Sequence, residues 1–348
     1  MKLAGLFSSP AASSSSSSSL LGRLFKPAVG AALALATATS FAAGPTNMKI
    51  ATVVWIGYGP FYVAESLDLF KKYNLKVSLQ VFTDPALIPP AISSGAVDGG
   101  MLTYDQVVGQ VAAGKSMKVV MPIDYSNGGD AIVADGTIKS VKDFKGKKIG
   151  YNPLSPSDFL LSYALKVNGL TEKDISPVSM TPEAVPAAMA SGQLPIGVTY
   201  EPSLSQILGQ GGGKKFKVVF SSKDAPGLIA DVLVFDDKAI KAKPTEISGI
   251  IKAYLDGMAY MKSKPDDAAK IIGKFMGVSA KEAKEQMSGV YNIPLAEMPK
   301  AFLPAKETTS YYASGEVIGQ LLKAKGQITT LPAPEATFDA SIVKTLAK

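Results

Sequence analysis

The chain has 348 residues, 47% of them hydrophobic, and a formal net charge of +7 at pH 7. This length and composition predict a globular protein of about two domains, since one domain typically takes ~150 residues. The chain contains no cysteine and no histidine, which excludes disulfide bonds, zinc sites built on thiolate or imidazole, and catalytic triads that use histidine. We therefore expect no metal and no cofactor. The dispersed positive charge is too small for a nucleic-acid-binding surface.

The first 42 residues have the layout of a secretory signal peptide. They contain no acidic residue and carry Lys2, Arg23 and Lys26, and residues 28–41 form an apolar run. This run is shorter than the ~20 residues that a membrane-spanning helix needs. We predict cleavage after Ala42, with Ala43 as the next choice, and the alternative is a serine-rich organelle transit peptide. Without a cysteine to carry a lipid anchor, the mature protein is expected to be periplasmic.

From residue 48 onward, apolar runs rich in β-branched residues alternate with amphipathic helical stretches. The predicted strands are 49–54, 75–82, 97–102 and 117–123, and the predicted helices between them are 60–72, 84–94 and 105–113. Such alternation predicts an α/β fold with a parallel sheet covered by helices on both faces.

Three short motifs recur in the same order and at similar spacing further along the chain, which predicts two similar α/β lobes. The pairs are Gly57-Tyr58-Gly59-Pro60 with Gly150-Tyr151-Asn152-Pro153, residues 91–95 with 188–192, and Thr103-Tyr104-Asp105 with Thr199-Tyr200-Glu201.

We place lobe 2 at residues 125–229 and form lobe 1 from residues 43–124 and 230–348, so lobe 1 is discontinuous in sequence. The segments 124–130 and 221–227 are candidate crossovers between the lobes. The chain after Pro244 is mostly helical and is expected to pack back onto lobe 1. Its predicted helices are 246–263, 265–276, 280–290 and 306–322.

Residues 109–116 match the phosphate-binding pattern GxxxxGK[ST] letter for letter. A true P-loop follows a strand and precedes a helix, because the amino terminus of the helix supplies the amide donors. Here a predicted helix comes first and a predicted strand follows. We interpret the segment as a turn from helix to strand.

Aromatic side chains stand where the first strand ends. Trp55 and Tyr58 flank a glycine at the carboxyl edge of a predicted sheet, where open α/β folds bind ligands. We favour contact with a ligand for this pair over a place in the core, and expect Phe61 to be a core residue.

Polar residues in and after the first crossover have both structural and functional interpretations. Asp124 and Asp130 bracket a Ser-Asn-Gly-Gly turn; they are either solvated turn residues or fixed charges beside glycine amides at the cleft. Ser155 and Ser157 begin a helix, which they either cap or open to a polar ligand atom. Asp105 and Glu201 either cap helices, grip a solute, or form the acid and base of a glycosidase-like enzyme.

Several segments together resemble the periplasmic solute-binding proteins of ABC importers of the nitrate, sulfonate and taurine type, and the related domain of thiamine-pyrimidine synthases. The segments are Trp55-Ile56-Gly57-Tyr58-Gly59-Pro60, residues 126–134, residues 141–147 and Tyr200-Glu201-Pro202. The resemblance implies a two-lobed type II binding fold with a hinge and an interlobe cleft. It also implies a cleft lined by Trp55, Tyr58, Thr103, Tyr104, Asp124, Asn127, Asp130, Ser155, Ser157, Glu201 and Asp231.

The resemblance further implies a monomer that is not an enzyme and that delivers a small solute to an ABC permease with its cytoplasmic ATPase. The missing histidine argues against pyrimidine synthesis. Four acids would make the cleft negative, which favours a neutral or cationic nitrogen compound. Glycine amides and helix-start serines favour nitrate or a sulfonate instead. A carboxylate-based enzyme and a sensor module remain alternatives on the same fold.

Overall fold

The computed structural model describes residues 44–348. The predicted signal peptide and its cleavage site after Ala42 lie outside these residues. The described chain forms two β-sheets with helices packed on them. The strands are β1 Thr46–Thr52, β2 Leu75–Val81, β3 Gly99–Thr103, β4 Lys118–Ser126, β5 Asp130–Asp135, β6 Lys148–Tyr151, β7 Ser176–Ser179, β8 Ile196–Tyr200, β9 Phe216–Ser221, β10 Ala230–Phe235 and β11 Val290–Asn292.

Twelve α-helices connect or cover these strands in residues 44–348. They are α1 Gly59–Ser66, α2 Ile88–Ser93, α3 Tyr104–Ala112, α4 Pro156–Val167, α5 Val185–Ala190, α6 Ser203–Leu208, α7 Asp237–Ala242, α8 Pro244–Ser263, α9 Pro265–Met276, α10 Ala280–Gln286, α11 Tyr311–Ala324 and α12 Ser341–Leu346. In this part of the chain, no helix is both long enough and apolar enough to cross a membrane.

The two sheets share one strand arrangement. The first has the order β11-β4-β10-β3-β1-β2 and the second the order β7-β6-β8-β5-β9. Each is built on a parallel trio, β2-β1-β3 in the first and β7-β6-β8 in the second. One glycine motif follows β1 and the other begins in the last two residues of β6, so the repeat seen in the sequence corresponds to a repeated sheet. We call the part of the chain around the first sheet lobe 1 and the part around the second lobe 2.

The prediction of an all-parallel sheet is wrong, because both sheets are mixed. β10 pairs antiparallel with β3 and β4, and β5 pairs antiparallel with β8 and β9. The reason is the path of the chain between the lobes. Strands β3, β4 and β8 end at the cleft, whereas β5 and β10 begin there after the chain has crossed. A strand that enters its sheet from the cleft must run opposite to strands that end at the cleft.

Local sequence explains several helix ends. The predicted helix 60–72 is interrupted because Asp68 adopts a positive φ of 55°, and the chain continues as a 3-10 turn over Leu69–Tyr73. Helix α9 has the predicted bounds: it begins at Pro265, and Gly277 at φ 71° follows its end, as left-handed C-terminal residues do. The predicted helix 280–290 is too long. It ends at Gln286, and the chain then adds β11 to the edge of the first sheet beside β4.

Helices of the region after residue 244 pack against α1. Helix α8 lies against α1, and Gly257 makes this close approach possible because a Cβ there would lie 2.2 Å from the carbonyl oxygen of Pro60. Phe61 on α1 is fully buried, with its ring centroid 4.8 Å from that of Tyr254. Residues 109–116 span the end of α3 and the approach to β4, which is the predicted turn from helix to strand.

Candidate solute-binding site

A row of polar residues crosses the cleft edge of the first sheet. Asp231 at the start of β10 lies directly opposite Thr103 on β3 and Asp124 on β4. Asp124 lies opposite Asn292 on β11. Residues directly opposite on antiparallel strands have Cβ atoms about 5 Å apart, and like charges in such pairs repel. The sheet register therefore places two carboxyl groups side by side in the interior.

An aromatic donor covers each of these two carboxyl groups. The Trp55 indole nitrogen lies 3.4 Å from both carboxylate oxygens of Asp124, and the Tyr58 hydroxyl donates a short hydrogen bond to Asp231. Both rings lie on the turn after β1 and are buried. Gly57 between them is required by space, because a Cβ there would lie 2.2 Å from Asp124 Oδ2. Gly57 and the two aromatic residues are thus packed directly against the two acids.

Lobe 2 contributes an acid and an aromatic residue from neighbouring strands. Asp130 begins β5 and lies opposite Tyr200, the last residue of β8. The Tyr200 ring meets Trp55 edge to face across the cleft, with the ring centroids 5.8 Å apart. Its hydroxyl is buried and has no hydrogen-bond partner among the described residues. The lobes therefore meet through aromatic rings, with carboxyl groups on both sides.

Burial dominates the electrostatics of these acids. It raises the pKa of Asp124 and of Asp231 well above the usual value, and the neighbouring charge of Asp124 raises the pKa of Asp231 further. Burial, with the nearby charges of Asp105 and Glu201, raises the pKa of Asp130 to about 7. A buried carboxylate without a cationic partner is costly, so each group favours its neutral form.

A small cavity lies where the lobes meet. Both lobes line it. The polar and aromatic lining comes from Trp55, Tyr58, Thr103, Gln106 and Asp231 in lobe 1 and from Asp130 and Tyr200 in lobe 2. Asp124 does not line the cavity; it lies behind Trp55 and is fully buried.

Two of the residues predicted to line the cleft point elsewhere. Tyr104 begins α3 and turns into the core of lobe 1, where its hydroxyl lies 2.8 Å from Thr337 Oγ1. Asn127 is exposed, and its backbone amide donates to the Gly289 carbonyl at 2.8 Å. In this conformation neither side chain lines the cavity.

Three others are placed at helix starts in lobe 2. Ser155 caps α4: its hydroxyl accepts from the amide of Ser157 at 3.2 Å. Ser157 is buried, and its hydroxyl has no hydrogen-bond partner among the described residues. Glu201 accepts from both the amide and the hydroxyl of Ser205, at 3.0 and 2.8 Å. Ser155 and Glu201 therefore hold local structure, and none of the three lines the cavity.

Sequence reasoning missed Tyr200 and Gln106 as lining residues. Tyr200 occupies the same place in its repeat as Tyr104, and this correspondence was the available signal. Gln106 bridges the lobes, because its amide group donates to the backbone carbonyl of Leu154 in lobe 2 at 3.2 Å. No sequence pattern marks this contact.

A second contact joins the lobes beside the cavity. Lys325, at the end of α11, forms ion pairs with Asp158 on α4 and with Glu172, the latter at 2.6 Å. It also donates to the Ser162 hydroxyl at 2.7 Å. The Lys325 side chain is only 11% exposed, so water screens these pairs weakly. We call Lys325, Asp158 and Glu172 the clasp.

A family model described as NMT1/THI5 like matches residues 55–268, more than half of the chain. The chain belongs to the NMT1/THI5-like family. A putative thiamine biosynthesis protein of Haemophilus influenzae is 27% identical over 237 residues, covering 67% of this chain and 74% of that protein. A putative aliphatic sulfonates-binding protein of Escherichia coli is 25% identical over 215 residues, covering 61% of this chain and 66% of that protein.

Solved structures confirm the predicted two-lobed binding-protein fold for this NMT1/THI5-like chain. The crystal structure of the periplasmic aliphatic sulphonate binding protein SsuA from Escherichia coli superposes with a TM-score of 0.69 at 20% identity. The match covers 86% of this chain and all of that one. The predicted resemblance to periplasmic solute-binding proteins is thereby confirmed, and both of these Escherichia coli relatives are named as binding proteins.

Proposed function

We propose that this chain is the extracytoplasmic solute-binding component of an ABC importer, which captures a small polar solute by closing its two lobes. The observation that carries the proposal is the cavity between the lobes, whose polar lining comes from both of them. Such a site is complete only when the lobes are together. Ligands of α/β folds bind at the carboxyl ends of strands, and β3 and β8 both end at this cavity.

Two crossovers connect the lobes at the cleft, between β4 and β5 and between β9 and β10. A few crossover residues are enough to act as the hinge of a domain closure. The clasp and the contact between Trp55 and Tyr200 then stabilise the closed form. In this proposal Trp55, Tyr58, Thr103, Asp130 and Asp231 contact the solute, and Asp124 acts from behind Trp55.

The remaining parts of the proposal concern location and partners. Residues 1–42 direct export and are removed, the mature monomer works in the periplasm, and a permease with its cytoplasmic ATPase receives the solute. The enzyme alternative is less well supported by the geometry. Glu201 is engaged by Ser205, and neither Asp105 nor Glu201 lines the cavity.

The test is native mass spectrometry of the protein purified without dialysis. We expect a single small-molecule adduct that is lost on denaturation and emerges chemically unchanged. Substituting Tyr200 by alanine should remove the adduct, whereas the same change at exposed Tyr291 should not. A protein that converts the released compound, or an adduct that persists in the Tyr200→Ala variant, would contradict the proposal.

A further inference from the structure

The charged side chains that line the cavity are acidic. Asp231 and Asp130 line it, and Asp124 lies directly behind, next to Asp231 on the neighbouring strand. Among residues 44–348, no lysine lines the cavity. The sequence from residue 44 to residue 348 contains neither arginine nor histidine. An anion placed here would therefore meet buried carboxyl groups and no opposing cation.

The available hydrogen-bond donors do not change this. Three aromatic donors lie at the cavity wall. The Trp55 indole N–H and the Tyr58 hydroxyl already point at carboxyl oxygens, and the Tyr200 hydroxyl has no partner among the described residues. A sulfonate or a nitrate would find one unengaged aromatic donor here and would have to take the other two away from Asp124 and Asp231. Burying a negative charge in a dry site that offers no opposing cation carries a large desolvation cost.

The same features suit a cation. Carboxylates form strong charge-assisted hydrogen bonds with protonated nitrogen, and the faces of tryptophan and tyrosine attract cations at short range. The buried Tyr200 hydroxyl has no partner among the described residues and supplies a free acceptor. Acids on both lobes, once ionised by an arriving cation, would draw the lobes together on its positive charge.

We infer that the cleft of this chain selects a compact organic cation, a protonated amine or amidine, and rejects sulfonates and nitrate. This inference rests on the proposed function and names its substrate class. The acids of the site come from four elements: Asp124 on β4, Asp130 on β5, Asp231 on β10 and Asp105 on α3. A bound cation would supply the opposing charge that these buried acids lack.

Proton release follows from this arrangement. Burial keeps the acids neutral, and an arriving cation favours their charged forms, so the incoming charge displaces protons. The other ionisable groups facing the Asp124–Asp231 pair are phenols, which stay neutral. They are Tyr58, Tyr62, Tyr200, Tyr254 and Tyr311. Cation affinity should therefore rise between pH 6 and pH 8.

The experiment uses probes matched in shape and different in charge. Acetamidinium and butyramidinium are cations, acetamide and butyramide are neutral, and methanesulfonate, butanesulfonate and nitrate are anions. Thermal unfolding is measured with each probe at millimolar concentration, for the wild type and for Asp231→Asn and Asp124→Asn. Asp267→Asn, at a position half-exposed on α9, is the control variant.

We expect the cations to raise the melting temperature by several degrees and the anions to leave it unchanged. Both cleft variants should lose this response while melting higher than the wild type without probe at pH 8, because an unpaired buried acid has been removed. A misfolded variant would melt lower instead, and the Asp267→Asn control should respond as the wild type does.

Three results would overturn the inference. A rise in melting temperature with anions or amides but not with cations would support solute capture and would show that the solute is not a cation. A cation response that persists in both cleft variants would show that the charge binds elsewhere. Absence of any shift would also overturn it, and the native mass spectrum of the same sample would then decide separately whether the protein captures a solute.

Discussion

Replacing Asp130 with asparagine is expected to stabilise the protein at neutral and alkaline pH. The folded protein holds the Asp130 proton more tightly than the unfolded chain, because burial raises its pKa from 3.8 to about 7. The Asp130 proton therefore makes its full contribution to the stability of the folded protein below about pH 4, and this contribution is lost as the pH rises to about 7. At 1.36 kcal/mol per pH unit, this loss is on the order of 4 kcal/mol above pH 7.

The assay is urea unfolding of the wild type and Asp130→Asn at a series of pH values from 4 to 8. The two proteins should have similar stability near pH 4, and the variant should gain steadily up to pH 7. Asp267→Asn is the control, since its carboxylate is half-exposed and pairs only with exposed Lys270, so its effect on stability should be small throughout. Parallel stability curves for the wild type and Asp130→Asn would refute the reasoning.

The clasp and the glycine beneath the aromatic pair give two further predictions. Lys325→Met leaves Asp158 largely buried without its cation, which should weaken the closed form by on the order of 2 kcal/mol and raise the solute Kd roughly thirtyfold in calorimetry. Gly57→Ala places a Cβ 2.2 Å from Asp124 and 2.4 Å from Trp55, so it should destabilise the protein by about 1–3 kcal/mol and shift the tryptophan emission.

Matched variants separate these effects from general damage. Lys323→Met, at an exposed position on α11, should leave Kd unchanged. Gly109→Ala lies inside α3, where the nearest atom would be 3.9 Å away, and it should stabilise the protein by about 0.5–1 kcal/mol. Equal Kd values for Lys325→Met and the wild type, or unchanged emission in Gly57→Ala, would contradict the assigned contacts.

Local patterns were sufficient to predict much of the fold. The strand before Trp55, the proline and glycine that bound α9, and the repeated glycine motifs all act over a few residues, so their consequences could be read from the sequence. The direction of β5 and β10 could not be predicted in this way, because it depends on the side from which the chain enters each sheet. The sequence did not predict strand β11, because its three residues are extended through their pairing with β4 and not through a local pattern.

The candidate site, like the fold, could be predicted from the sequence only in part. The aromatic pair and the acids were found as residues, but the register that sets Asp231 beside Asp124 joins positions 107 residues apart (231 − 124) and leaves no local trace. Tyr104 and Tyr200 occupy equivalent places in the repeat and have different environments. Tyr200 is still part of its strand and faces the cavity, whereas Tyr104 is the first residue of α3 and turns into the core.

The central claim is that the two lobes close on a solute, and a distance measured across the cleft tests it most directly. The chain has no cysteine, so spin labels can be attached to Ala113→Cys in lobe 1 and Lys166→Cys in lobe 2, both exposed positions. Double electron–electron resonance should show a longer or broader distribution of label distances in the solute-free protein. The distribution should become shorter and narrower when the copurifying solute is added back to saturation. An unchanged distribution in a sample that calorimetry shows to be saturated would contradict the account.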